Sequence, residues 1–207
     1  MRGLAKFILK RIHAAGRGQR VFAAKDFLDI GKRAAVDQAL SRLTKAGDLR
    51  RVSRGLYDWP RQSAVLNAPA PVDADAAIAA LARRDGRPII RDGLAAANAM
   101  GLTTAVPTRM AFVTAGKVAD VTIGGRRVKF SRAPAAVRPW LHSPAAPIVQ
   151  ALVWARAARL SLDDAATTIA RHAPDNARHA LARDFAHLPG WAIDPARKIA
   201  NRAKLAA

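Results

Sequence analysis

Three features of the chain predict an α+β fold built in two parts. Apolar residues recur at helical spacing in three successive segments over the first 46 residues, and a basic hairpin turning at Arg54-Gly55 follows at once. Beyond residue 69, short strand-like runs give way to a long helical stretch. Three helices and a hairpin in that order make a winged helix-turn-helix. The prediction is therefore an N-terminal winged helix-turn-helix over residues 1–68, followed by a mixed α/β second domain over 69–207 with a helical C-terminal tail.

Each element has its own signal. Residues 3–15 read as an amphipathic helix with Leu4, Phe7, Ile8 and Ile12 inward, stopped by Gly16 and Gly18. Residues 20–23 have strand character, 24–30 form a short helix burying Phe27 and Leu28, and Gly31 turns the chain. Residues 32–46, about 22 Å if helical at 1.5 Å per residue, carry Val36, Ala39, Leu40 and Leu43 as one stripe before Gly47. Residues 50–53 and 56–59 are two strands, and Pro60 closes the unit.

The stretch 61–75, with Asn67, Pro69 and Pro71 among small residues, reads as a linker, and the domain boundary falls near Pro69. Helices are expected over 74–84 and 93–100, with an extended segment at 88–91 between them. Strands are expected at 109–114, 118–123 and 127–131, the last two joined by the turn Gly124-Gly125. Helices over 146–158, 162–172, 176–186 and 195–205 make the tail, and no internal repeat is evident.

A formal net charge of +20, from 35 Lys and Arg against 15 acidic residues, points first to a polyanionic partner. Fifteen of the cations and five of the aspartates lie at or before Arg61, so half of the excess falls in under a third of the chain. All the acids are Asp in an Arg- and Ala-rich sequence, a composition for which codon bias is the alternative explanation to a polyanionic partner. There is no Cys, which excludes disulfide and thiolate chemistry. No apolar run approaches the roughly 20 residues of a membrane span, and Lys6 and Lys10 interrupt what would be a targeting segment, so a cytoplasmic location is expected.

The helix at 32–46 is the candidate reader of a DNA major groove, which is wide enough to admit a helix. Opposite its apolar stripe stand Lys32, Arg33, Asp37, Gln38, Ser41, Arg42 and Lys45. Arg matches guanine bidentately, Gln matches adenine, and Ser or Lys holds phosphate. Asp37 repels phosphate unless it pairs with a neighbouring cation or accepts from cytosine. Arg50, Arg51 and Arg54 arm the hairpin for backbone or minor-groove contact, while Val52, Tyr57 and Trp59 have the character of its anchor.

These residues resemble a known family. The segment VDQALSRLTKAGDLRRVSRGLYDWP is similar to the winged helix of AbiEi-type antitoxins, with a wing running through Arg-rich residues to Gly-x-Tyr, here Gly55-Leu56-Tyr57. The segment DGLAAANAMGLTTAVPTRMAFVTAG resembles the start of that family's second domain, and the likeness covers residues 4–154. The resemblance implies the antitoxin of a type IV toxin-antitoxin system used in phage defence. Such a protein represses its own operon at promoter inverted repeats and counters a nucleotidyltransferase-like toxin without a stable complex. It also implies a monomer or weak dimer, cooperative on double-stranded DNA, with Arg33, Gln38, Ser41, Arg42, Lys45, Arg50, Arg51 and Arg54 facing the duplex.

Other constellations carry less. His13, His142, His172, His179 and His187 lack the i, i+4 pairing that places two metal ligands on one helix face, and neither metal nor cofactor is expected. Asp163-Asp164 follow Ser161 as a helix cap with acids in the first turn. Gly124-Gly125 is a hairpin turn rather than a phosphate loop, though Arg126, Arg127, Lys129 and Arg132 are candidates for additional nucleic-acid contacts. Trp140, Trp154 and Trp191 read as packing residues. A regulator is expected rather than an enzyme. The alternatives are a second domain that binds RNA or a protein, and a metal nuclease using Asp92 or Asp120.

Overall fold

The computed structural model describes residues 2–65, 67–116 and 119–201. The fold is α+β, as the sequence predicts, and divides into two compact units. One comprises Met1–Arg87 with Val121–Val128, the other Pro88–Asp120 with Lys129–Ala207. The first unit thus reaches past the boundary expected at 68/69 and takes in a later hairpin.

In the first unit the order is α1 (Arg2–Ala14), β1 (Val21–Ala23), a 3₁₀ turn (Ala24–Phe27), α2 (Arg33–Lys45), β2 (Arg50–Ser53) and β3 (Leu56–Asp58). The strands make an antiparallel sheet in the order β1-β3-β2, with Phe22 opposite Tyr57 and Arg50 opposite Asp58. This is the winged helix-turn-helix arrangement, with its second helix shortened to the 3₁₀ turn. Ile8, Ile12, Phe22, Phe27, Val36, Leu40 and Leu43 build its core.

Two residues expected inward are exposed. Phe7 is 63% exposed and Leu28 44%. A step of about 100° per residue puts Phe7 about 100° from Ile8 and about 140° from Ile12, off the buried stripe. Leu28 follows the 3₁₀ turn and rotates away from Phe27, which is fully buried.

β1 and β3 are buried along their whole length. Side chains alternate across a strand, so Phe22 and Tyr57 face the helical core while Val21, Ala23 and Leu56 face the other way. That second face is covered by α3 (Ala74–Asp85), which buries Ala77, Ile78, Ala80 and Leu81 and packs on β1 and β3. Asp73 caps α3, accepting from the Asp75 and Ala76 amides at 2.8 and 3.1 Å. Within the segment expected to be a linker, β4 (Gln62–Ser63) pairs with β5 (Ala68–Pro69), and the Ala70 amide donates to the Arg61 carbonyl at 2.7 Å.

The second unit opens with β6 (Ile89–Arg91), α4 (Gly93–Ala99) and β7 (Met110–Thr114). The hairpin β8 (Val121–Ile123) and β9 (Arg126–Arg132) follows, with Val121–Val128 grouped in the first unit. Its turn, Gly124-Gly125, has φ of 54° and 80°, the pair of positive values that a two-residue hairpin of this type requires. Part of the strand expected at 118–123 lies outside the described residues.

Helices α5 (Ala146–Ala157), α6 (Leu162–His172), α7 (Asp175–Ala182) and α8 (Gly190–Ala200) bury Ile148, Leu152, Ile169, Leu181 and Ile199 with Trp140 and Val113 in one core. Ser161 caps α6 through the Asp164 amide. The last residues of the helix expected over 195–205 lie outside the described part. Among the described residues, no helix is long and apolar enough to cross a membrane.

Candidate nucleic-acid interface

Burying Val36, Ala39, Leu40 and Leu43 forces the opposite side of α2 outward. Lys32, Arg33, Asp37, Gln38, Ser41, Arg42 and Lys45 are all exposed. Asp37 does not face solvent alone, because Arg33 Nε donates to its Oδ2 at 2.8 Å, one helical turn away. That pairing meets the condition under which Asp37 tolerates a nearby phosphate.

In the wing, Arg51 and Arg54 are exposed, whereas Arg50 turns inward. Arg50 Nε and Nη2 donate to the two carboxylate oxygens of Asp58 at 3.0 and 2.6 Å, and Nη1 donates to the Ala70 carbonyl at 2.7 Å. Asp58 is 2% exposed. A fork-to-fork pair of this kind fixes both side chains, so Arg50 ties the root of the wing to the β5 segment. The structure therefore gives Arg50 a packing role, and its guanidinium is committed to Asp58 and the Ala70 carbonyl where a duplex contact was expected from its sequence position.

The helix-turn-helix is braced from outside. Asp26 accepts from the Ala23 amide at 2.9 Å and from Arg83 Nε and Nη2 at 3.3 Å each, and Arg83 Nη2 also donates to the Val21 carbonyl at 2.9 Å. Arg11 grips Asp29 with two bonds of 2.7 and 2.6 Å. The hydrogen bonds from Arg11 hold the Asp29 carboxyl below its ordinary pKa, and the same bonds raise that of Arg11. Trp59 packs against His13, with ring centroids 4.0 Å apart, and the guanidinium of Arg17 lies 4.4 Å from its ring centroid.

Between α2 and the wing opens a cleft of about 570 Å³ lined by Arg33, Asp37, Arg51, Arg54, Gly55, Tyr57 and Arg84. Three of its four arginines were candidates from sequence. Arg84 was not: it lies on α3, beyond the expected domain boundary, and nothing in the local pattern Arg83-Arg84-Asp85 ties it to the wing. Its Nη1 donates to the Arg54 carbonyl at 2.7 Å, and its Nε and Nη2 donate to Asp85 at 2.7 and 3.1 Å.

The β8–β9 turn also reaches the wing. The Gly124 amide lies 3.3 Å from the Val52 carbonyl, and Arg126 and Arg127 beside it are exposed. Those two belong to the same unit as α2 and the wing, whereas Lys129 and Arg132, also exposed, belong to the second unit.

The residues weighed for catalysis hold local structure. Asp92 caps α4 through the Ala95 amide at 3.0 Å, and Asp120 accepts from the Phe130 amide at 3.2 Å. Among the described residues, no three His, Cys, Asp or Glu are grouped to hold a metal ion. Residues 7–152 match the model of a family of unknown function (DUF6088). No curated protein and no solved structure matches the chain.

Proposed function

The chain belongs to the DUF6088 family, whose description names no activity, and we propose from the geometry that it is a sequence-specific double-stranded-DNA-binding regulator without catalytic activity. The reading rests on one observation: Arg33 and Asp37, from the exposed polar face of α2, and the wing arginines Arg51 and Arg54 line one cationic cleft. A helix that enters the major groove beside a projecting basic hairpin is suited to hold a duplex by both groove and backbone. Arg42, Gln38 and Ser41 read base edges in this arrangement, while Lys32, Lys45, Arg51 and Arg54 neutralise phosphates. Arg126 and Arg127 extend the backbone contact.

The antitoxin role stays a proposal carried by the sequence resemblance. The regulator acts in the cytoplasm on inverted repeats before its own operon, as a monomer or weak dimer that binds cooperatively. It relieves the toxicity of a nucleotidyltransferase-like protein encoded beside it. Co-expression with such a neighbour tests that role, which fails if growth is not restored.

DNA recognition is tested by fluorescence anisotropy against the duplex upstream of the gene, a scrambled duplex and an RNA hairpin. The upstream duplex is expected to bind tightest. Arg42→Ala is expected to relax base preference at a cost of about 1–3 kcal/mol if its contact is bidentate. Equal affinity for upstream and scrambled DNA, or preference for RNA, overturns the reading.

A further inference from the structure

We propose that the cleft between α2 and the wing seats one phosphate of the duplex backbone, with Arg84 of α3 as one of its donors. This rests on the DNA-binding reading and adds to it a residue from outside the expected DNA-binding segment. Four guanidinium groups, those of Arg33, Arg51, Arg54 and Arg84, line the cleft, and Asp37 is the carboxylate among its lining residues. Asp37 is held through Arg33 Nε, which leaves that bond's cost off the two terminal nitrogens of Arg33.

Arg84 offers the same resource. A guanidinium carries five N–H groups. Three of those of Arg84 go to Asp85 and the Arg54 carbonyl, leaving one on each terminal nitrogen for a further acceptor. The bond to Arg54 also fixes the wing turn against α3, so that an arriving phosphate meets donors already in place. Such preorganisation raises affinity by reducing the ordering cost of binding. A phosphodiester, with two non-bridging oxygens and a full charge, matches a cleft lined by guanidinium forks. The strand of backbone beside a groove occupied by α2 passes between that helix and the wing, which is where the cleft opens.

The test titrates duplex binding by the full chain against salt. Arg84→Gln is expected to lower the slope of log affinity against log salt by about 0.9, so that a fourfold rise in salt weakens the variant about 3.5-fold less than wild type. Arg87→Gln removes the same charge from the same helix end, outside the cleft lining, and is expected to keep the wild-type slope. In a duplex scanned with single uncharged methylphosphonates, wild type is expected to lose affinity at one position to which Arg84→Gln and Arg33→Gln are both insensitive. Arg33 is exposed, so its variant reads the seat even if Arg84→Gln unfolds.

An unchanged slope for Arg84→Gln, an equal drop for Arg87→Gln, or insensitivity at different phosphates overturns the seat and leaves DNA binding standing. Failure of wild type to bind any duplex at low salt overturns the functional reading, and the seat falls with it.

Discussion

Asp58→Asn isolates the pair that roots the wing. Asp58 is essentially enclosed, with a side chain 4% exposed, and it accepts two bonds from Arg50, whose side chain is 27% exposed. The amide has the shape of the carboxylate but one acceptor oxygen, and its NH₂ group faces a donor of Arg50. Removing one partner of a buried pair costs about 3–5 kcal/mol because the remaining charge is left uncompensated. Arg50 retains the Ala70 carbonyl and some contact with water, which brings the expected loss to about 2–3 kcal/mol. At about 1.4 kcal/mol per factor of ten, hydrogen-exchange protection of the β3 amides should fall about 30- to 150-fold. Arg50→Gln should destabilise the same amides while leaving the salt dependence of duplex binding unchanged. A loss of protection smaller than about threefold in Asp58→Asn, or a lower salt slope in Arg50→Gln, refutes the structural role given to this pair.

Three further outcomes follow from local geometry. Asp29 has a folded-state pKa below its ordinary value, so its bond to Arg11 contributes fully above the ordinary aspartate range and is lost as pH falls through the lowered value; Asp29→Asn should remove that part of the acid response, and an NMR titration of the Asp29 carboxyl at its ordinary pKa would contradict it. Gly101 has φ of 74°, and a Cβ placed there would lie 2.6 Å from His172 Cε1, so Gly101→Ala should cost roughly 1–3 kcal/mol in urea unfolding. Adding His172→Ala should recover the steric share alone, and a Gly101→Ala variant as stable as wild type would sink the argument. A fragment ending at residue 68 leaves Val21, Ala23 and Leu56 without α3, and should lack the dispersed amide spectrum of a folded domain; a well-folded fragment would show that α3 is dispensable.

The helical stripes were legible because burial on α2 follows the 3.6-residue period: Val36, Leu40 and Leu43 are inside and the polar residues opposite them are outside. The same rule misled at Phe7, which is three residues from Leu4 but off the arc defined by Ile8 and Ile12. The ion pair of Arg50 is illegible in the sequence for a different reason. A two-residue turn at Arg54-Gly55 pairs Ser53 with Leu56, and a regular ladder would continue by placing Arg51 opposite Asp58. A bulge at Val52 shifts that register by one, so Arg51 lies opposite Tyr57 and Arg50 opposite Asp58. Bulges leave little trace in composition, and the acid that engages Arg50 could not be assigned without the register.

Asn67, Pro69 and Pro71 look like punctuation, whereas the signal that ties α3 to the first compact unit lies earlier. Val21, Phe22 and Ala23 in β1 are apolar on both faces of the strand, and Leu56 and Tyr57 repeat this in β3. A three-stranded sheet with strands of three or four residues and two apolar faces needs cover on both. The helices before and after β1 supply one cover; the next helix, α3, supplies the other. β2 ends the strand order β1-β3-β2, and an edge strand has main-chain groups without a neighbouring strand. The Gly124 amide meets one of them at the Val52 carbonyl. The covering elements carry Arg84 and the pair Arg126 and Arg127, so the elements that protect the sheet also add cations to the unit of α2 and the wing. If the proposed DNA binding holds, the unit to carry it is Met1–Arg87 together with Val121–Val128, because α3 covers the second face of the sheet and the β8–β9 turn meets its edge.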